Sequence, residues 1–92
     1  MVTSIILINT ERGYINEVAE TLAGMAEISE VYSVSGAYDL IAVARVKTND
    51  DLSNLVTRNL LKIENILHTE TMLAFQVFSK HDLEAMFSLG AS

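Results

Sequence analysis

The sequence predicts an α+β fold with the element order β-α-β-β-α-β. Three observations predict it. Four short segments rich in β-branched and aromatic residues read as strands. Two intervening segments carry apolar residues at helical spacing. The second and third strand segments are separated only by Gly36-Ala37-Tyr38-Asp39, a connection so short that they must form an antiparallel hairpin.

Val2 to Asn9 is rich in isoleucine and too short for a stable helix, so it is the first strand. Thr10-Glu11-Arg12-Gly13 is the polar connection after it. From Tyr14 to Ala26 the period becomes helical: Ile15, Val18, Ala19, Leu22 and Met25 share one stripe, and Asn16, Glu17, Glu20 and Thr21 face away. Gly24 lies near the end of this helix, where it costs least. Ile28 to Ser35 and Leu40 to Lys47 are the second and third strands. Thr48 and Asp51 have the spacing of a capping box, with Asp in place of the usual Glu. They open a second helix with Leu52, Leu55, Val56, Leu60 and Ile63 on one face. Thr69 to Phe78 is the fourth strand. Leu83, Met86 and Phe87 make His81 to Leu89 a short amphipathic helix. The order is that of the ferredoxin-like split βαβ fold, a four-stranded antiparallel sheet with both helices on one face. Residues 1–80 form the domain and 81–92 a C-terminal tail.

A chain of 92 residues is one domain, and its core is marginal alone. Yet 50% of its residues are hydrophobic, more than one small core needs. The surplus lies on the strands. Leu40, Ala42, Ala44 and Val46 oppose Ile41 and Val43; Leu73, Phe75 and Val77 oppose Met72, Ala74 and Phe78; Ile6 and Ile8 oppose Ile5 and Leu7. Strands apolar on both faces are buried on both faces. The expected solution is a symmetric dimer with sheets packed face to face, an α+β sandwich or barrel. The alternative is a tail folded over the open face.

A net charge of −6, with no cluster of Lys or Arg, argues against direct binding of nucleic acid or an anionic membrane. The absence of cysteine excludes disulfides, thiol nucleophiles and thiolate metal sites. No apolar run reaches the roughly 18 residues that span a bilayer. The start lacks the basic region of a signal peptide, so a cytoplasmic location is expected.

Catalytic candidates are few. His68 and His81 are separated and fit no metal-ligand spacing. Arg12-Gly13 lacks the pattern of a phosphate loop. Asp50-Asp51 suits a helix N-terminus, and Glu64, Glu70 and Glu84 read as surface charges. No enzyme, metal or cofactor is expected. The turn Gly36-Ala37-Tyr38-Asp39 has two readings. Glycine and aspartate explain a hairpin by themselves. Exposed backbone N–H groups beside a carboxylate also suit a zwitterion, with amides for its carboxylate and Asp39 for its ammonium.

The stretch from Val31 through Gly36-Ala37-Tyr38-Asp39 to Val43 resembles the hallmark hairpin of the Lrp/AsnC ligand-binding domain, also called RAM, for regulation of amino acid metabolism. Ile66-Leu67-His68-Thr69-Glu70-Thr71 resembles the family's last strand, which enters with Thr-x-Thr. The resemblance runs from about Val2 to Phe78. It implies an effector sensor and not an enzyme: dimers that assemble into octamers or similar rings, with amino acids bound in clefts between dimers. By residue match it places Gly36, Ala37, Tyr38 and Asp39 on the cleft, with further contacts from His68, Thr69 and Thr71. Asp39→Ala is then expected to weaken binding and leave the fold. Typical family regulators carry a helix-turn-helix ahead of this module; the chain resembles the stand-alone versions, whose action would be indirect, through co-assembly with a full-length regulator. The family's frequent proline ahead of the second strand is replaced here by Glu27-Ile28. Two other readings share the topology: a dimeric α+β barrel enzyme of monooxygenase type, and an ACT-like regulatory adaptor. The first usually needs His, Tyr or Trp in a deep apolar pocket, and this chain has no Trp.

Overall fold

The strongest apolar runs become the two central strands. The computed structural model describes residues 1–78 and 80. β1 is Val2–Thr10, β2 Ile28–Ser33, β3 Leu40–Val46 and β4 Ile66–Ala74, in the sheet order β2-β3-β1-β4 with all neighbours antiparallel. β1 and β3 lie inside the sheet, where apolar residues on both faces are expected.

Helix α1 spans Ile15–Ala23, shorter than the Tyr14–Ala26 stripe. It stops where Gly24 caps it, and Met25 N–H donates to the Leu22 carbonyl in a tightened last turn (3.0 Å), so Met25 still packs on the core. Val18 and Leu22 bury against Ile6, Ile8, Leu40, Ala42 and Ala44. The alanines at the middle of β3 let the helical layer approach closely. Ile6, Ile8, Leu22, Leu40 and Leu55 are fully buried, each contributing about 1.5–3 kcal/mol of transfer free energy.

The second helix is not uniform. α2 is Asn49–Asn54, followed by a π-helical turn, Leu55–Asn59, and a 3₁₀ turn, Leu60–Lys62. Its start shows one half of the capping box: Asp51 N–H donates to Thr48 Oγ1 at 3.1 Å. The departure lies further on. Leu55 and Leu60, five positions apart, are both buried, and Leu60 N–H donates to the Leu55 carbonyl. A regular α-helix turns about 100° per residue, which would point them about 140° apart. The wider turn seats both in the core.

β4 begins and ends earlier than the predicted Thr69 to Phe78. Its register against β1 runs from Thr10↔Ile66 to Thr3↔Ala74. Thr3↔Ala74 is the last pair, one residue short of the start of β1 at Val2, and the chain leaves the sheet there. Phe75, Val77 and Phe78 therefore lie outside the sheet and are exposed, Phe75 by 96%. The tail 81–92 and its predicted helix lie outside the described residues.

Both helices pack on one sheet face, mainly over β1, β2 and β3. The other face carries Ile5, Leu7, Ile41, Val43 and Met72, with neither helix over it. Among the described residues, no helix is long and apolar enough to cross a membrane.

Candidate functional site

β2 ends at Ser33 and β3 starts at Leu40, so the connection is Val34 to Asp39, two residues longer than the predicted turn. Val34 N–H donates to the Asp39 carbonyl at 3.0 Å and closes it. Gly36 has φ +115, and nothing lies within 4 Å of where a Cβ would sit. The backbone conformation itself requires glycine, not a close neighbour. Ser35, Gly36 and Ala37 are exposed.

Asp39 holds the turn to the sheet. Its N–H donates to the Ile8 carbonyl at 3.0 Å, and Thr10 N–H donates to its Oδ2 at 2.9 Å. This half-buried carboxylate closes the end of β1, so Asp39→Ala is expected to cost stability as well as any bound ligand. Beside it, Thr10 Oγ1 is buried and has no hydrogen-bond partner among the described residues.

Tyr38 points along the open sheet face and reaches past β1. Its hydroxyl donates to Glu70 Oε2 at 2.5 Å, and its ring stacks on His68 with centroids 6.4 Å apart and planes at 21°. The hydrogen bond to Glu70 holds the Tyr38 phenol above its usual pKa, with desolvation and the nearby negative charge adding to it. The carboxylate favours the protonated phenol, because only that form can donate.

The structure thus gathers Gly36, Ala37, Tyr38, Asp39 and His68 at one end of the sheet and adds Glu70. Glu70 is a surface charge, as its sequence context implies, but one bonded to Tyr38. Its place follows from register: Leu7↔Glu70 and Asn9↔His68 put both side chains on the open face. Only the i, i+2 spacing of His68 and Glu70 could have hinted at it. Thr69 and Thr71 pair with Ile8 and Ile6, whose side chains face the helices, so both threonines lie on the opposite face from His68. Thr69 lines a cavity of about 250 Å³ with Val56, Leu60, Leu61, Ile66 and Leu67, and the neighbouring His68 reaches its rim. Among the described residues no cluster of three or more His, Asp or Glu could hold a metal ion.

A ferredoxin-like sheet hosts many functions, and its topology alone does not define one. Residues 3–83 match the family model of the Lrp/AsnC ligand binding domain, and the chain belongs to that family. It is 34% identical over 76 residues to the HTH-type transcriptional regulator FL11 of Pyrococcus furiosus, a match covering 83% of this chain and 50% of that protein. The chain thus spans about half the length of the curated relatives it matches. Among solved structures it is similar to TTHA0845 of Thermus thermophilus, with TM-score 0.80 and 36% identity over 87% of this chain and 100% of that one. It is also similar to the hypothetical protein PHS023 of Pyrococcus horikoshii, with TM-score 0.78 and 40% identity over 88% of this chain and 95% of that one.

Proposed function

We propose that this chain is an amino-acid sensor that binds its effector at the Gly36–Asp39 turn of a homo-oligomer, without catalysing a reaction. The observation that carries this reading is the turn itself: exposed backbone at Ser35 to Ala37, with Asp39 and the Tyr38–Glu70 pair beside it. Backbone amides suit the effector's carboxylate, and the two acids suit its ammonium. His68 supplies an aromatic wall against Tyr38. Thr69 and Thr71 face the other way and enter the site only from a neighbouring copy.

The oligomer follows from the open face. Ile5, Leu7, Ile41, Val43 and Met72 form an apolar surface, and Met72 alone is 43% exposed. A face-to-face dimer burying about 800 Å² per partner gains on the order of 20 kcal/mol per partner before association costs. Tyr38 and Glu70 sit on this same face, so dimerisation brings a second copy close to the turn. Dimers then assemble into an octamer or similar ring, with residues 1–80 as the working unit and the tail 81–92 capping or extending the assembly. Regulation is indirect, through co-assembly with a full-length, DNA-binding relative in the cytoplasm. The family's curated relatives are transcriptional regulators, which supports this role.

Isothermal titration of the oligomer against the twenty amino acids tests the proposal, with native mass spectrometry reporting stoichiometry. Absence of heat with every amino acid, while the oligomer stays intact, would sink it. Ile41→Asp places a charge on the open face and should yield a monomer that keeps the turn and loses the ligand.

A further inference from the structure

The helical layer stops short of β4. This strand lies at the sheet edge, and the helices pack mainly over β1, β2 and β3. Thr69, Thr71 and Leu73 pair with Ile8, Ile6 and Ser4, so they point to the helix side of the sheet, where Thr71 and Leu73 are exposed. An apolar trough results beside the second helix. At its head Val56, Leu60 and Leu61 face Ile66 and Leu67 across a cavity of about 250 Å³. Leu61 is 78% exposed and Leu67 63%, so both rims are apolar and open. The head is smaller than the roughly 300–1,000 Å³ of small-molecule pockets, and the trough runs on along β4, which suits a docked segment of chain.

Length and chemistry match the tail of this same chain. From Leu67 to Leu73 the floor runs six strand steps, roughly 20 Å. A helix over residues 81–89 would be about 13 Å long and fits within it. Those residues lie outside the described ones, but their sequence puts Leu83, Met86 and Phe87 on one helical stripe flanked by Asp82 and Glu84. Arg58 is exposed on the second helix just before Leu61, a cation at the rim for those acids.

The path of the chain decides whose tail it is. The strand ends at Ala74, and Phe75, Val77 and Phe78 are all exposed, so the chain departs without packing on its own domain. To return to its own trough it would have to reverse within Phe75 to Lys80, a stretch with no glycine, proline, asparagine or aspartate. We infer, on the basis of the homo-oligomer proposed above and independently of any effector, that residues 81–89 of one copy dock as a short helix in this trough of a neighbouring copy. Leu83, Met86 and Phe87 face Leu61, Leu67 and Leu73, and Asp82 or Glu84 lies beside Arg58. The tail then ties copies together through a surface separate from the open sheet face.

Thiol cross-linking of the full chain provides the test, because the sequence has no cysteine of its own. Leu61→Cys chains are mixed with Phe87→Cys chains, left to exchange subunits, and treated with a short bismaleimide; intact masses separate the mixed pair from the two self-pairs. Glu20→Cys, exposed on α1, replaces Leu61→Cys as the control. Docking raises the local thiol concentration, so the mixed 61–87 pair should exceed the 20–87 pair about tenfold or more. Adding Leu83→Asp to the Phe87→Cys chain should erase that excess, and an excess that persisted would overturn the inference. So would a chain carrying both Leu61→Cys and Phe87→Cys that links within itself, which would put the tail in its own trough. A 61–61 pair in excess would put the body of a second copy there and overturn it as well. No cross-link above the control, with native mass spectrometry showing an intact oligomer, would overturn the docked tail alone and leave the trough to another protein. A chain found monomeric would overturn both the docked tail and the open-face dimer.

Discussion

Asp39→Ala removes the acceptor of Thr10 N–H and leaves that amide, at the buried end of β1, without its partner. A hydrogen bond to a charged acceptor contributes about 1.5–3 kcal/mol. Asp39 is half-buried, so solvent screens the bond and the lower part of the range applies, roughly 1.5–2 kcal/mol. A domain of 92 residues has on the order of 5–14 kcal/mol in total. The loss is thus a substantial fraction, and Tm should fall by roughly 6–16 °C. Asp39→Asn keeps an acceptor oxygen and should cost less than about 1 kcal/mol. Thermal and urea unfolding followed by circular dichroism would measure both, at fixed protein concentration because assembly contributes to stability. Equal stability of Asp39→Ala and wild type would refute the structural role. So would an asparagine variant as unstable as the alanine one. The outcome matters for function, because only the asparagine variant can separate a lost ligand from a loosened fold.

Gly36→Ala meets no neighbour but must hold φ +115, so it should destabilise by roughly 1–3 kcal/mol through backbone strain, read from a urea midpoint. Thr10→Val removes a buried hydroxyl that has no partner among the described residues and keeps the N–H bond to Asp39; it should be neutral or stabilising by up to about 1 kcal/mol, and clear destabilisation would reveal a further partner. Tyr38 ionises above the usual 10.0, so its bond to Glu70 supports the fold below pH 10 and is lost as pH rises through the raised value. Glu70→Gln should move that ionisation back toward 10.0, followed by phenolate absorbance; an unmoved titration would deny the bond.

Local signals in this sequence were strong where short-range physics decides. The helical stripe from Ile15 to Leu22, the isoleucines of β1 and the Thr48 cap all lie within a few residues of what they organise. What the sequence concealed depends on distant partners. β4 is displaced because its register is set by where β1 begins, about seventy positions away in the chain. That register also puts Glu70 beside Tyr38 and turns Thr69 and Thr71 to the other face. The π turn was hidden because Leu52, Leu55, Val56 and Leu60 satisfy an α-helical stripe on paper. Only packing shows that Leu55 and Leu60 must point the same way. Asp39 reads as turn chemistry from its neighbours; its bond to Thr10 is visible only once β1 and β3 are paired.

The unpaired run after β4 also bears on how the protein keeps in solution. Leu73-Ala74-Phe75-Gln76-Val77-Phe78 contains no charge, proline or glycine, the composition of segments that stack into cross-β aggregates. Leu73 is 48% exposed and Phe75 96%, on the edge strand of the sheet and just past its end. The nearest flanking charges are Glu70, three residues before it, and Lys80, two residues after it. A partner covering this strand would act as the chain's own solubiliser. Shelf life would then be governed by conditions that loosen the assembly, well before any that melt the domain. A single Gln76→Lys change should lengthen it without touching the core.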